Sequence, residues 1–274
     1  KVLVNDLGGS VAGEGADKRP AEDVASYIRS QGGEAEANYD DVSDWAGAKS
    51  MVRQAVETFG GLDILVNNAG IVRDRMIFSM TEDDWDGVIR VHLKGTFAPT
   101  HHACVYWRDE AKADRRPRAA IVNTVSSAGL QGNIGQANYG SAKAAIAGLT
   151  IVTSLEMARY GVRCNAVAPA GFTRITGTIM KDLEIKNPED YTEFNAMNPG
   201  NSAPAVAWLA SDEALHVTGQ VFRAAGPSIA HYLPWSLGPE VKSKDGEKWK
   251  PADIGSAVNA AFFRSRHPGL QMGG

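Results

Sequence analysis

The 274-residue sequence predicts an α/β fold, a doubly wound parallel sheet with helices on both faces. Three features predict it. Runs such as "LDILVNNAG" and "AAIVNTVSS" are apolar along most of their length, as expected of strands buried on both faces. Amphipathic stretches of helical period separate these runs in regular alternation. Right-handed crossovers then stack the helices on both sides of the sheet, and ligands of such sheets lie beyond the carboxyl ends of the strands.

Taken in order, "KVLVND" is a short β-branched strand ending in an acid, and "GGSVAGEGADKRP" is a Gly-rich loop. A helix follows from about Pro20 to Gln31, stopped by Gly32 and Gly33. "EAEANYDDV" reads as a strand, and "WAGAKSMVRQAVETFG" as a helix with Met51, Val52, Ala55, Val56 and Phe59 on one face. "LDILVNNAG" is a buried strand running into a turn, followed by one long helix through "TEDDWDGVIRVHLKGTFAPTHHACVYWRDEA". "AAIVNTVSS" (strand), "YGSAKAAIAGLTIVTSLEMARYG" (helix), "VRCNAVAPA" (strand) and "QVFRAAG" (last strand) complete the series. From Ser228 the composition shifts to Pro, Lys, Gly and Trp, and "SAVNAAFFRSRHPG" reads as a short terminal helix. Residues 1–227 therefore form one domain. Residues 228–274 form a C-terminal extension on the same domain or a neighbouring subunit, because they hold too few apolar residues for a core of their own.

Composition narrows the function. With 43% hydrophobic and 22% charged residues the chain is globular, and its net charge of −4 argues against a nucleic-acid or anionic-membrane partner. The one basic cluster, "KADRRPR" from Lys112 to Arg118, reads as a solvated loop. Cys104 and Cys164 both lie in apolar elements, which fits reduced thiols in a cytoplasm and supports neither disulfides nor a metal site. There is no apolar run of about eighteen residues or more and no signal-peptide layout. The start in mid-strand, without methionine, looks like that of a fragment.

The chemistry concentrates in "NYGSAKAAIAG". Tyr139 and Lys143 are four residues apart and share a helix face, and a cation beside a phenol favours the phenolate, a usable general acid or base. The spacing also arises by chance. Ser126, thirteen residues earlier at a strand tip, is placed to donate to a substrate carbonyl oxygen, or else is a loop or cap serine. "NNAG", Asn67, Asn68, Ala69 and Gly70, closes a strand with small residues that let a flat ligand approach the backbone. "PAGFT" brings Pro169, Gly171 and Thr173 to another strand end, with Thr173 placed to bond a carboxamide.

These elements together resemble the short-chain dehydrogenase/reductase family over nearly the whole chain. The resemblance implies a Rossmann-type fold holding a nicotinamide cofactor across the strand ends. It implies Tyr139 as acid/base, Lys143 as the ribose-binding residue that lowers the tyrosine's pKa, and Ser126 as the substrate-orienting residue. At the family's usual asparagine position, "RVHLKGTF" has His92. "VNDLGG", "GGEAEANYDDV", "NNAGIVRDRMIFSMTEDDWDGVIRVHLKGTF" and "GNIGQANYGSAK" look like a narrower group. It is the (3R)-hydroxyacyl-CoA dehydrogenase part of the peroxisomal multifunctional enzyme, also called 17β-hydroxysteroid dehydrogenase type 4, with its bacterial relatives. Histidine occupies that position there, so His92 reads either as a catalytic residue linking Lys143 to water or as a core histidine satisfied by backbone.

Asp6, ending the first strand, would accept hydrogen bonds from the adenosine ribose hydroxyls and repel a 2′-phosphate, which favours NAD over NADP; otherwise it is a turn residue. Asp41 and Val42 match the position flanking the adenine. The family's first strand and Gly-rich pyrophosphate turn should precede Lys1. The expected activity is NAD-dependent oxidation of a secondary alcohol, a 3-hydroxyacyl-CoA or a steroid. The rivals are an NADPH-dependent 3-oxoacyl reductase and a non-catalytic scaffold. After Thr173, Met180, Leu183 and Ile185 line an apolar lid or belong to a plain surface helix. The small-residue face of "SAKAAIAGLTIVTSLEMA" and the resemblance together imply a homodimer or homotetramer.

Overall fold

The computed structural model describes residues 1–115, 117–173, 193–243, 246 and 248–262. Lys1–Tyr232 form one compact unit. Its elements are β1 (Val2–Asn5), α1 (Arg19–Ser30), β2 (Ala35–Asn38), α2 (Trp45–Phe59), β3 (Ile64–Asn67), α3 (Glu82–Ile89), α4 (Gly95–Lys112), β4 (Ala119–Thr124), α5 (Ser127–Gln131), α6 (Ala137–Met157), β5 (Val162–Ala170), α7 (Ala203–Ala210), β6 (Val221–Ala225) and β7 (Ser228–Tyr232). Leu233–Gly274 form a second unit, whose described helix is α8 (Pro251–Phe262).

Local chemistry sets the helix ends. The Asp44 carboxylate accepts from Gly47 N at 2.7 Å to start α2, which stops at Gly60 in the left-handed region (φ 85°). Thr81 and Asp84 close a reciprocal capping box at the head of α3.

The parallel strands β3, β4, β5 and β6 lie side by side, and period-two alternation sends neighbouring residues of one strand to opposite layers. On β4, Ile121 joins Ala103 and Trp107 of α4 and Met157 of α6, whereas Val122 joins Ala205 and Leu209 of α7. Helices therefore cover both faces. Within the sheet a buried polar ladder replaces part of the apolar packing. Asn67 Nδ2 donates to Thr100 Oγ1 and to Asn123 Oδ1, both at 2.9 Å, and Asn123 Nδ2 donates to Thr150 Oγ1 at 3.0 Å. With every donor matched, these amides are tolerated at full burial.

The structure differs from the sequence reading in three places. Among the described residues the strands form two sheets: β1 pairs with β2 alone, while β3 to β7 make a five-stranded sheet. The outer sides of β1 and β3 carry no ladder among the described residues, and Val2, Ile64 and Val66 are exposed. Next, "QVFRAAG" is not the last strand, for β7 runs back antiparallel beside it, with Val221 opposite Tyr232. The sheet thus extends five residues past the boundary drawn at 227. A two-residue reversal at Gly226 makes this possible, its φ of 51° lying where glycine is favoured. Finally, the single long helix read from Thr81 onwards is α3 and α4 joined by a π-helical turn, Arg90–Lys94, in which Gly95 N bonds back to Arg90 O. The widened turn carries His92 into the interior, where it is 2% exposed.

Trp107 is 1% exposed, and its indole N–H donates to Leu62 O at 2.6 Å. Trp107→Ala removes both the packing and the bond and should cost about 3–5 kcal/mol, read as a lower denaturant midpoint with an unchanged m-value.

Candidate active site

The carboxyl ends of β3, β4 and β5 bring three segments together. Asn68 and Ala69, just past β3, are exposed, and Asn68 Oδ1 accepts from Thr124 Oγ1 at the end of β4 at 3.1 Å. Ser126 caps α5, with its Oγ accepting from Ala128 N at 3.2 Å. α5 lies so close to α6 that a Cβ on Gly129 would stand 2.6 Å from Ala144 N. That close approach sets the Ser126 hydroxyl beside Tyr139, where it favours the phenolate.

Lys143 follows one turn below Tyr139, its Nζ 5.7 Å from the phenol ring centroid. The side chain is 3% exposed, and Nζ donates to Thr124 O at 2.6 Å. Burial pulls its pKa down to about 7. Tyr139 moves the opposite way to the sequence expectation. Burial raises its pKa, the Ser126 hydrogen bond lowers it, and the Asp74 carboxylate raises it again. Lys143 Nζ is directed to the Thr124 carbonyl, and burial disfavours the charged form of both groups.

His92 stands edge-on to Tyr139, ring centroids 5.1 Å apart. Its Nε2 lies 2.7 Å from Ile71 O and 3.1 Å from Ile71 N. One ring nitrogen serves only one of these, and the shorter contact belongs to the tautomer that donates from Nε2. Nδ1 is then an acceptor, buried and without a hydrogen-bond partner among the described residues. Burial and the Lys143 charge hold the ring neutral, with its pKa down at about 3. Gly70 makes room for it, since a Cβ there would come within 2.3 Å of His92 Cε1.

The remaining sequence candidates divide. Asp6 ends β1 exposed and uses one oxygen to accept from Gly8 N at 2.6 Å. Asp41 is committed elsewhere: Oδ1 accepts from Ser43 N and Oγ, and Oδ2 pairs with Arg90 at 2.7 Å. Only its backbone and Val42, which packs on Gly95, are left to flank a base. The Asn67 side chain is likewise spent in the polar ladder, not on a cofactor. Pro169 ends β5 exposed, Gly171 lies against Pro199, and Thr173 is the last residue described before Glu193. Met180, Leu183 and Ile185 lie outside the described residues.

Sequence reasoning missed Asn138. Fully buried, its Nδ2 donates to Arg73 O at 3.0 Å and Asp84 O at 2.9 Å, while its Oδ1 accepts from Tyr139 N at 2.7 Å. Asp74 and Gln136, joined at 2.9 Å, and Tyr232, whose hydroxyl meets Ser127 Oγ at 2.9 Å, were also missed. The one available signal was the adjacency of Asn138 to Tyr139, since the partners sit tens of residues away.

An exposed carboxylate at Asp6, open backbone at Asn68–Gly70 and a buried ammonium at Lys143 suit a ribose–phosphate–ribose ligand stretched along the strand ends. Residues 4–184 match the short chain dehydrogenase family. The chain is 37% identical over 272 residues to hydroxyacyl-CoA dehydrogenase ChsB1 of Mycobacterium tuberculosis, covering 97% of this chain and 82% of that protein. It is 40% identical over 246 residues to the peroxisomal multifunctional enzyme type 2 of Mus musculus, covering 89% of this chain but 31% of that longer protein. A short chain dehydrogenase crystal structure from Mycobacterium avium superposes with a TM-score of 0.84 at 46% identity, covering 98% of this chain and 88% of that one.

Fold and relatives together define an oxidoreductase that acts on CH–OH groups with a nicotinamide cofactor. The chain belongs to the short chain dehydrogenase family, and among its relatives are hydroxyacyl-CoA dehydrogenases.

With its folded pKa near 7 and its unfolded value at 10.5, Lys143 binds fewer protons folded than unfolded between those limits. Stability of the cofactor-free chain should rise with pH from about 7 to 10, the burial penalty being fully present below 7. Lys143→Met should flatten that rise by a few kcal/mol, on the order given by one to three pKa units, in denaturant titrations across the range.

Proposed function

We propose that the chain oxidises the secondary alcohol of a (3R)-hydroxyacyl-CoA, or of a 17β-hydroxysteroid, with NAD as acceptor. The observation that carries this is the Ser126–Tyr139–Lys143 cluster at the strand ends, with neutral His92 behind it. The nicotinamide dinucleotide supplies the hydride acceptor when bound. Asp6 would hold the adenosine ribose, Val42 would flank the adenine, and Asn68–Gly70 and Lys143 would hold the nicotinamide ribose. Pro169, Gly171 and Thr173 would meet the carboxamide.

Ser126 would hold the carbinol oxygen, and Tyr139 beside it, in its phenolate form, would take the hydroxyl proton. The arriving proton sits on the phenol oxygen, the favoured location because burial disfavours the phenolate. To regenerate the phenolate, the phenol would give this proton to the neutral amine of Lys143, which titrates near 7 and would release it to a water that His92 Nδ1 accepts from. The raised phenol pKa also favours a second reading, a 3-oxoacyl reductase using NADPH, in which the protonated Tyr139 donates to the ketone. Asp6 stands against that reading, because a carboxylate there repels a 2′-phosphate.

ChsB1, described as a hydroxyacyl-CoA dehydrogenase, supports the thioester among the candidate substrates. A homodimer or homotetramer is also part of the proposal, supported by Phe97 on α4 and by Val152 and Leu155 on α6, all exposed on neighbouring helices of one layer.

Two experiments test these readings. A panel of (3R)-hydroxyacyl-CoA thioesters and 17β-hydroxysteroids, assayed by NAD reduction, should show turnover that Tyr139→Phe lowers by roughly 10²–10⁴-fold, while Asp6→Ser gains activity with NADP. Turnover unaffected by Tyr139→Phe would remove the proposal, and a wild-type preference for NADPH would replace it with the reductase. Sedimentation should return dimers or tetramers, and a monomer at all concentrations would end the oligomer proposal.

A further inference from the structure

A carboxylate outside the cluster described so far is built into the same site. Asp74 lies on the loop after β3, and this loop runs alongside the residues leading into α6. Arg75 N donates to Gly135 O at 2.9 Å, Gln136 Nε2 donates to Asp74 Oδ2 at 2.9 Å, and Asn138 Nδ2 donates to Arg73 O at 3.0 Å. Gln136 is 7% exposed, and its own Oε1 is held by Asn133 Nδ2 at 2.9 Å. The carboxylate is therefore fixed three residues before the reactive phenol. Its other oxygen, Oδ1, is buried and accepts no hydrogen bond among the described residues. With Oδ1 shielded from solvent, the half-buried carboxylate keeps more of its field than a fully solvated one.

We propose that Asp74 is an electrostatic positioning residue of the active site, a carboxylate clamped by Gln136 beside Tyr139 whose negative charge opposes that of the phenolate. This rests on Tyr139 being the acid/base group. Its consequence is a bias in proton location: the proton stays on the phenol until positive charge enters the site with the coenzyme. The rise that Asp74 adds to the effect of burial on Tyr139 runs in this direction.

Other charges facing the phenol do not supply the bias. On α6 itself Lys143 is the nearest cation, bound to Thr124 O. The π-helical turn presents His92, which is neutral. Arg73, on the same loop as Asp74, is turned away to Ala12 O and Asp83 O, and Arg75 faces Asp84 at 3.9 Å. α3 brings Glu82, Asp83, Asp84 and Asp86, of which Asp84 is offset by Arg75 and Arg73. α5 and β4 contain no titratable side chain, and β7 offers the phenol of Tyr232, bonded to Ser127. On β5, Arg163 is occupied by the carbonyls of Leu209 and Ser211, and Cys164 sits under Asn123.

Asp74→Asn tests the charge apart from the clamp, because the asparagine oxygen still accepts from Gln136 Nε2 while the charge is gone. In kcat/KM for NAD-dependent alcohol oxidation, the acid limb of the pH profile should move down by about half to one unit, with KM changed less than twofold. Asp74→Glu should restore the wild-type limb. A direct readout runs beside the kinetics: tyrosinate absorbance is titrated for each chain and for its Tyr139→Phe counterpart, and the difference reports the titration of Tyr139 alone. It should fall to lower pH in Asp74→Asn. If no alcohol in the panel turns over, the substrate reading fails and the absorbance titration still decides the proposal. Superimposable titrations of wild type and Asp74→Asn, or a shift to higher pH, would overturn it.

Discussion

The geometry of this site depends on one buried carboxamide. The amide of Asn138 joins the loop after β3, the first turn of α3 and the backbone of Tyr139. Each bond alone is ordinary, worth about 1 kcal/mol net, and the leverage comes from burial. An amide with no access to water makes all of its bonds inside the protein or leaves them unmade at full desolvation cost. The three segments it joins are therefore fixed relative to one another more tightly than any one contact implies. Residues 73–75 can then act on the head of α6 as part of the same rigid body.

Burial also sets the charge states of the site, in a consistent direction. Lys143 is pulled down to about 7, His92 to about 3, and Tyr139 is pushed up, so each group is shifted toward its neutral form. Cys104 is pushed up to about 12 and Cys164 further still, which makes both thiols poor nucleophiles. The cluster is thus charge-poor before any ligand arrives.

Much of the fold was legible in the residues because it rests on periodicity. "VRCNAVAPA" forms β5 over its full length, and the helix read from "WAGAKSMVRQAVETFG" is α2, with Met51, Val52 and Ala55 buried. Apolar period is a local signal, and these elements obey it. β7 was not legible, for "SIAHY" is exposed along most of its length and owes its conformation to pairing with β6. The π-helical turn was hidden for a related reason. One-residue insertions leave the pattern of apolar positions almost unchanged, and only the inward direction of His92 reveals the turn. At the site, the spacing set Tyr139 and Lys143 on one helix face, the strand-tip position added Ser126, and the resemblance then gave all three their expected roles. The sign of the phenol's shift needed coordinates, because it depends on how deeply both groups lie and on which carbonyl receives the ammonium.

The hydroxyl pair Tyr232–Ser127 joins the far edge of the sheet to the short helix that Ser126 caps. β7 is an edge strand held by a single ladder, and Tyr232 is its final residue. The edge strand and the start of α5 are therefore linked through one side chain. Fraying of that edge strand would be felt at the head of α5.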